Sequence, residues 1–309
     1  MATLLAANWK MNPLTANEAT RLARATLGAA QPHASRVEVV IFPPFTWLRE
    51  VGAIVRGTVV GVGAQDCYWE ETGAFAGAVS AGMLAGWCRW VIVGHSERRT
   101  LFGETDDQVS RKARAALDAG LNVIVCVGER EDQFDGGQTD EVVSAQVHRA
   151  MSRIDPAATN SRLAFAYEPL WAIGSGHNAR PHEVLPTLEL VRHVVNEVGG
   201  AGAAIDLRVL YGGSVNEENV TSYVGLPGCD GCLIGGCGAH KFVRTIDWPV
   251  RMLRQPIGFR RWIALMASTA RSHWMRSRIH GATGALHSKE SATARPSGRR
   301  SAAALVKQR

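Results

Sequence analysis

Long apolar runs and a dense set of cysteines are both missing from this sequence of 309 residues. No window holds 18 consecutive apolar residues, so we expect no transmembrane helix. Residues 1–10 lack a basic segment ahead of an apolar stretch, so we expect no signal peptide. Six cysteines in a chain of this length do not resemble the disulfide framework of a short secreted protein, and we expect reduced thiols. Together these features predict a cytoplasmic protein.

Acidic side chains are scarce in only one part of the chain. The net charge is +6, but residues 247–309 hold 13 of the 34 basic side chains and two of the 28 acidic ones. That segment therefore carries +11, and residues 1–246 carry −5. The last part, residues 288–309, is rich in Ser, Ala and Arg, a composition typical of disorder. We predict one domain over residues 1–246 and a basic, disordered or irregular C-terminal extension over residues 247–309.

Short apolar runs alternate with longer helical stretches along residues 1–246. The runs predicted as strands are Leu4–Asn8, Val37–Phe42, Val59–Ala64, Trp90–Val93, Asn122–Val127, Leu163–Tyr167, Leu207–Tyr211 and Gly231–Ile234. Segments with helical spacing between them include Asn17–Ala30, Asp106–Ala119, Asp140–Met151 and Glu183–Val198. Continuous apolar strands that alternate with helices indicate parallel pairing. Eight such units in about 240 residues predict an α/β fold, a (β/α)₈ barrel.

The ends of these predicted strands carry the polar side chains of interest, because active sites of such barrels lie at the C-terminal ends of the strands. The ends with polar or ionisable groups are Asn8-Trp9-Lys10, Gly94-His95-Ser96-Glu97, Cys126-Val127-Gly128-Glu129 and Tyr167-Glu168-Pro169. Two further ends carry the glycine pairs Gly212-Gly213 and Gly235-Gly236. We therefore expect one polar site at one mouth of the barrel.

At these strand ends the sequence closely resembles the triosephosphate isomerase family. The matching segments, in the family's order and separations, are Ala7-Asn8-Trp9-Lys10-Met11-Asn12, Val93-Gly94-His95-Ser96-Glu97-Arg98-Arg99, Ala166-Tyr167-Glu168-Pro169-Leu170-Trp171-Ala172-Ile173-Gly174 and Tyr211-Gly212-Gly213-Ser214-Val215. The four together are very specific, and the likeness covers roughly residues 2–246. The resemblance implies a TIM barrel that interconverts D-glyceraldehyde 3-phosphate and dihydroxyacetone phosphate through an enediolate, in glycolysis and gluconeogenesis. It also implies that no cofactor or metal is needed.

The resemblance further implies three catalytic residues. Glu168 would be the base that lifts a carbon-bound proton. His95 would be the neutral electrophile that faces the carbonyl, and Lys10 would bring positive charge to the phosphate and the developing oxyanion. The alternative for each is structural: a salt-bridged carboxylate, a buried imidazole or a solvated surface lysine. Their positions at strand ends within long motif matches favour the catalytic interpretation.

Three more residues would support these groups. Asn8 would steady Lys10 and approach the substrate, although it could be a plain structural amide. Glu97 is either a proton relay or a partner of Lys10. Cys126 would hold Glu168 in place by packing.

The substrate phosphate needs unshielded backbone N–H donors, which paired glycines expose. We expect Gly235 and Gly236 to form this site together with Gly212-Gly213, Ser214 and Gly174. The glycines could instead only make tight turns. Residues 169–177 resemble the lid that excludes water during the reaction, and Tyr211 and Ser214 are candidate partners for the closed lid.

The loop at residues 65–79 implies a homodimer, because in the family this loop enters a partner subunit. The family usually has Thr and Glu at the positions of Ala76 and Ala78. Both differences remove hydrogen-bonding groups, which leaves the strength of the dimer and the precise placement of Lys10 and His95 open. A further departure is Cys237-Gly238-Ala239, where the family has Ala-Ser-Leu.

Three alternatives remain open at this stage. The chain could isomerise a four-carbon phosphorylated ketose with the same base and electrophile, although relatives that do so often lose the Asn that is retained here as Asn8. It could also be a non-catalytic protein that acts through its basic extension, where Phe259, Trp262 and Trp274 lie among arginines. Neither a membrane nor a nucleic acid is required by the isomerase interpretation. Cys229-Asp230-Gly231-Cys232 could indicate a zinc or redox site, but no second ligand pair has suitable spacing.

Overall fold

The computed structural model describes residues 2–155, 161–172 and 179–235. Within them, parallel strands close into a barrel in which each strand pairs with the next and the last pairs with the first. The strands are β1 Thr3–Asn8, β2 Val37–Phe42, β3 Val60–Ala64, β4 Trp90–Val93, β5 Asn122–Val127, β6 Leu163–Tyr167, β7 Arg208–Tyr211 and β8 Gly231–Gly235. The predicted barrel is confirmed, and the predicted strand ends differ by at most one residue.

Helices connect the strands and cover the outside of the barrel. Those described are α1 Ala16–Ala30, α2 Leu48–Val55, α3 Ala81–Ala85, α4 Ser96–Leu101, α5 Asp106–Asp118, α6 Glu131–Asp135, α7 Thr139–Met151, α8 Pro181–Gly199 and α9 Val220–Val224. Helix α5 begins at a capping box, in which the Thr105 hydroxyl accepts from the Gln108 N–H and the Gln108 side chain accepts from the Thr105 N–H. Helix α8 begins two residues before the predicted start, because Pro181 fits the first turn of a helix.

The hydrophobic core has two layers because successive strand residues point to opposite faces. On β1, Leu4 and Ala6 point into the barrel, whereas Leu5 and Ala7 pack against the surrounding helices. The side chains that fill the barrel interior are Leu4, Ala6, Val40, Phe42, Trp90, Ile92, Ile124, Cys126, Ala164, Ala166, Leu210 and Leu233. A filled interior means that the barrel is a rigid scaffold and that chemistry must take place at its mouth.

The register of the sheet brings distant strand ends together at that mouth. Asn8 at the end of β1 pairs with Gly235 at the end of β8. Tyr167, which precedes Glu168, pairs with Tyr211 on β7. Side chains that lie far apart in sequence therefore project into one region.

Backbone contacts group residues 1–255 into one compact unit, which contains every described residue. The predicted boundary near Asp247 and the predicted disorder of residues 247–309 lie outside the described residues and stay predictions. None of the described helices is both long and apolar enough to cross a membrane.

Candidate active site

Glu168 follows the last residue of β6 and is almost fully buried, with 2% of its surface exposed. One carboxylate oxygen, Oε2, accepts a hydrogen bond from the backbone N–H of Ser96 at 2.8 Å. The other, Oε1, lies 3.3 Å from Nε2 of His95. The structure therefore joins the predicted base and the predicted electrophile, which are separated by more than seventy positions in the chain.

His95 stands at the N-cap of α4, two residues beyond the end of β4. Its Nδ1 accepts a hydrogen bond from the Glu97 N–H at 3.2 Å. A ring nitrogen that accepts cannot carry a proton, so this contact assigns the neutral ring with its proton on Nε2. The positive end of the helix favours the same uncharged form. Nε2–H is therefore the donor that His95 offers at the mouth of the barrel.

Lys10 is held in an uncommon backbone conformation, with φ of 53°. Its N–H donates to Asn8 Oδ1 at 2.9 Å, and its carbonyl accepts from Gln65 Nε2 at 2.9 Å. Side chains other than glycine rarely adopt this left-handed region unless their surroundings enforce it. The Lys10 ammonium lies 2.6 Å from Glu97 Oε1. Asn8 thus contacts Lys10 as expected, and Glu97 contacts Lys10 directly.

The glycines at the ends of β7 and β8 leave room for these side chains. A Cβ on Gly235 would lie 2.8 Å from Lys10 Cε, and one on Gly212 would lie 2.8 Å from Glu168 Cγ. Any larger residue at either position would displace a predicted catalytic group. Gly236, the other member of the predicted phosphate pair, lies outside the described residues.

The start of the predicted lid is described, and the remainder is not. Ser214 Oγ donates to the Ala172 carbonyl at 2.6 Å, so this predicted substrate-binding residue contacts the lid segment. Trp171 Nε1 donates to Glu129 Oε1 at 2.8 Å. Gly174 lies outside the described residues, as do residues 173–178 in general.

The two remaining predicted supporting residues are buried beside the site. Cys126 points into the barrel, and burial raises the pKa of its thiol well above the usual value, with a further contribution from the Glu168 carboxylate. Tyr211 stacks on Tyr223 with ring centroids 4.1 Å apart, and burial raises the pKa of Tyr211. The hydroxyl that holds the chain after the lid belongs to Tyr223, which donates to the Ala179 carbonyl at 2.7 Å. Tyr211 as a lid partner stays a prediction.

Sequence reasoning missed two residues that organise the site. Gln65 Nε2 donates to both the Lys10 carbonyl and the Phe42 carbonyl, at 2.9 and 2.8 Å. Its position directly after β3 was the available signal. Glu129 follows β5 and accepts from Tyr167 Oη at 2.9 Å as well as from Trp171. Its position at the end of a predicted strand is the only signal in the sequence, and that position alone does not define a role.

The C-x-x-C segment lies away from this mouth, at the beginning of β8. Both thiols are buried, and Cys229 Sγ lies 3.2 Å from the Gly231 carbonyl oxygen. Asp230 between them pairs with Arg192 and accepts from the Val209 N–H at 2.8 Å. Within the described ranges, no group of three His, Cys, Asp or Glu side chains is arranged to hold a metal ion.

Comparison with known proteins agrees with this arrangement. A sequence model of the triosephosphate isomerase family matches residues 3–247. A triosephosphate isomerase of Rubrobacter xylanophilus is 45% identical over 247 residues, which cover 79% of this chain and 96% of the relative. A triosephosphate isomerase of Chloroflexus aurantiacus is 44% identical over 248 residues, which cover 79% of this chain and 98% of the relative. A triosephosphate isomerase of Roseiflexus castenholzii is 42% identical over 248 residues, which cover 79% of this chain and 96% of the relative. The chain therefore belongs to the triosephosphate isomerase family.

Proposed function

We propose that this protein interconverts D-glyceraldehyde 3-phosphate and dihydroxyacetone phosphate through an enediolate. The observation that carries the proposal is the convergence of Glu168 Oε1 on His95 Nε2 at 3.3 Å, with Lys10 joined to the same site through Glu97. A buried carboxylate beside a neutral N–H donor suits the removal of a proton next to a carbonyl group. Family membership supports the same reaction and the same substrate class.

Glu168 Oε1 would take the proton from the carbon next to the carbonyl. His95 Nε2–H would donate a hydrogen bond to the carbonyl oxygen as negative charge develops on it. The Lys10 ammonium would stabilise the same charge and the phosphate. Glu168 must release the Ser96 N–H when it turns toward the substrate, because its Oε2 is engaged there in this structure. Each step is a proton transfer or a charge interaction, so the proposal includes no cofactor and no metal.

Exclusion of water would protect the intermediate, because a solvated enediolate can expel its phosphate. The lid segment at residues 169–177 is proposed for this role. Its described part is held by hydrogen bonds from Trp171 to Glu129 and from Ser214 to the Ala172 carbonyl. The phosphate would bind the N–H groups around Gly174, Ser214, Gly235 and Gly236.

We also infer that the loop at residues 65–79 enters a partner subunit to form a homodimer. Residues 70–78 are all exposed in the single chain, including the ring of Phe75. Ala76 and Ala78 offer no side-chain hydrogen bonds to a partner, so dissociation on dilution is expected. Light scattering over a dilution series tests this. Ala76→Thr should strengthen the dimer, and a fully active monomer at every concentration would contradict the inference.

A cytoplasmic location is also part of the proposal, since reduced thiols and a phosphorylated substrate both suit that compartment. No nucleic acid or membrane partner is included.

Removal of residues 247–309 tests whether the basic extension is needed for the reaction, because an isomerase confined to the barrel should keep its turnover. Loss of all activity would favour a function of the basic extension.

A coupled isomerase assay tests the reaction itself. Glu168→Asp withdraws the carboxylate by one methylene, and we expect turnover to fall roughly 10²- to 10⁴-fold, the range for a misplaced general base. The matched control is Glu189→Asp on the exposed surface of α8, which should keep the wild-type rate. Parallel assays with a tetrulose phosphate test the four-carbon alternative. An unchanged rate in Glu168→Asp would remove this residue from the mechanism.

A further inference from the structure

The hydrogen-bonded ladder between β4 and β5 stops before the active site. The pairing runs from Trp90 with Asn122 to Val93 with Val125, and the next positions in the same register are Gly94 and Cys126. Gly94 has a positive φ of 71°, so the chain turns out of the ladder there. Backbone pairing thus ends at Val93, two residues before His95.

The side chain of Arg99 bridges the two strands at the position that follows their last backbone pair. Its Nε donates to the Gly94 carbonyl at 2.7 Å, and its Nη2 donates to the Cys126 carbonyl at 3.1 Å. The third nitrogen, Nη1, pairs with Asp106 Oδ1 at 2.5 Å. Only 13% of the Arg99 side chain is exposed. One rigid guanidinium therefore connects the two strand ends at the register position where the backbone no longer does.

Both carbonyls belong to segments that hold the predicted catalytic groups. Gly94 directly precedes His95, and its own N–H is fixed by Glu104 Oε2 at 3.1 Å. On the β5 side, the residue after Cys126 is Val127, whose carbonyl accepts from the Glu168 N–H at 2.8 Å. A change in the distance between β4 and β5 would therefore shift the imidazole relative to the carboxylate.

We propose that Arg99 is a positioning residue for the isomerisation: its guanidinium fixes the separation of the β4 and β5 ends and thereby the His95–Glu168 geometry. The role needs donors held in a fixed planar fork. A lysine ammonium has three donors, but they sit on one nitrogen at the end of a flexible stem and do not hold two carbonyls at a fixed separation. The inference rests on the catalytic roles proposed above for His95 and Glu168. It adds a residue that touches neither the substrate nor the reacting atoms.

Steady-state kinetics of Arg99→Met and Arg99→Lys in the full chain test the proposal, with wild type and Glu168→Asp as references. A small misplacement of reacting groups lowers the chemical step far more than binding. We therefore expect kcat of Arg99→Met to fall about 10- to 100-fold with KM changed less than about threefold. Arg99→Lys should fold with a melting temperature near that of wild type and still lose kcat. If Arg99→Met fails to fold, the kcat of Arg99→Lys alone tests the positioning role.

Two control variants separate this role from general stabilisation. Arg114→Met removes the same group from an exposed site on α5, where it pairs with Asp118 and donates to the Arg153 carbonyl at 3.1 Å. Asp106→Asn removes the ionic partner of Arg99 but leaves both carbonyl contacts possible. Both should keep kcat within about twofold of wild type, as expected for sites that do not place reacting groups. Added guanidinium chloride, against sodium chloride at equal ionic strength, should partly restore kcat in Arg99→Ala.

Wild-type kcat in folded Arg99→Lys, or an equal loss in Arg114→Met, would overturn the positioning role. A loss in Asp106→Asn as large as in Arg99→Met would assign the effect to the ion pair and would also overturn it. Failure of the underlying function has a different signature, because wild type would then show no isomerase activity or Glu168→Asp would be fully active.

Discussion

Replacement of Gln65 by Met should weaken both the fold and the placement of Lys10. Gln65 Nε2 donates to the carbonyls of Lys10 and Phe42 at 2.9 and 2.8 Å, and these two bonds join the ends of β1, β2 and β3. Methionine has nearly the same length and is apolar, so Gln65→Met removes both bonds with little change in volume. The Lys10 conformation then loses one of the two contacts that hold it.

The size of the effect follows from these contacts. The Lys10 carbonyl loses its hydrogen-bond partner, whereas the Phe42 carbonyl still accepts from the Trp9 N–H at 3.1 Å. One carbonyl left without a partner costs about 1–3 kcal/mol, so the free energy of unfolding should fall by about that amount. The left-handed conformation of Lys10 itself costs about 1–2 kcal/mol, which drives its backbone to relax once the bond is gone. If the ammonium loses about 1.4 kcal/mol of interaction with the substrate, KM rises about tenfold.

Urea unfolding and the coupled isomerase assay measure both quantities. The matched control is Gln108→Met, which removes an amide of the same size from the capping box of α5, where Oε1 accepts from the Thr105 N–H at 2.9 Å. The control should lose about 1 kcal/mol and keep its KM. The reasoning is refuted if Gln65→Met keeps the wild-type KM and loses no more stability than Gln108→Met.

Two further predictions concern a strand end and a buried thiol. In Gly235→Ala, the new methyl group would lie 2.8 Å from Lys10 Cε, so KM should rise at least about tenfold. The control Gly28→Ala has open space around its Cβ position, so it should keep the wild-type KM and gain about 0.5–1 kcal/mol of stability. Equal KM values in the two variants would contradict this prediction. Burial raises the pKa of Cys88 from 9.0 to about 12, so on raising the pH the unfolded chain loses the thiol proton before the folded chain does. The contribution of the protonated Cys88 thiol to stability is therefore complete below pH 9 and declines as the pH rises toward 12. Between pH 8 and 10.5 wild type should lose about 2 kcal/mol more than Cys88→Ala in urea unfolding, and parallel curves for the two proteins would show that the thiol is not the cause.

The strands and the three predicted catalytic residues could be anticipated because each has a local signal. Runs such as Val37–Phe42 are apolar and β-branched, and the barrel requires that their polar successors meet at one mouth. His95 and Glu168 lie inside long motifs at such positions. Helix starts have weaker local signals, as α8 illustrates, because Pro181 can either precede or begin a helix.

The contacts that fix the site could not be anticipated in the same way. Gln65 and Arg99 act on backbone carbonyls of other strands, and residue type does not report which carbonyls are left unpaired where a ladder ends. The register of β4 with β5 is needed to see that Gly94 and Cys126 face one another. The left-handed turn at Lys10 is likewise not indicated by the sequence, which offers the contact between Lys10 and Glu97 as one of two roles for Glu97.

The account depends most on Glu168 as the group that removes the carbon-bound proton. Proton NMR of dihydroxyacetone phosphate in D₂O measures this step directly, because the base exchanges its proton with solvent and leaves deuterium on carbon. Wild type should incorporate deuterium during turnover, and Glu168→Gln, which keeps the shape but cannot accept the proton, should slow incorporation at least about 100-fold. Glu189→Gln should behave as wild type. Incorporation at the wild-type rate in folded Glu168→Gln would show that a different group is the base.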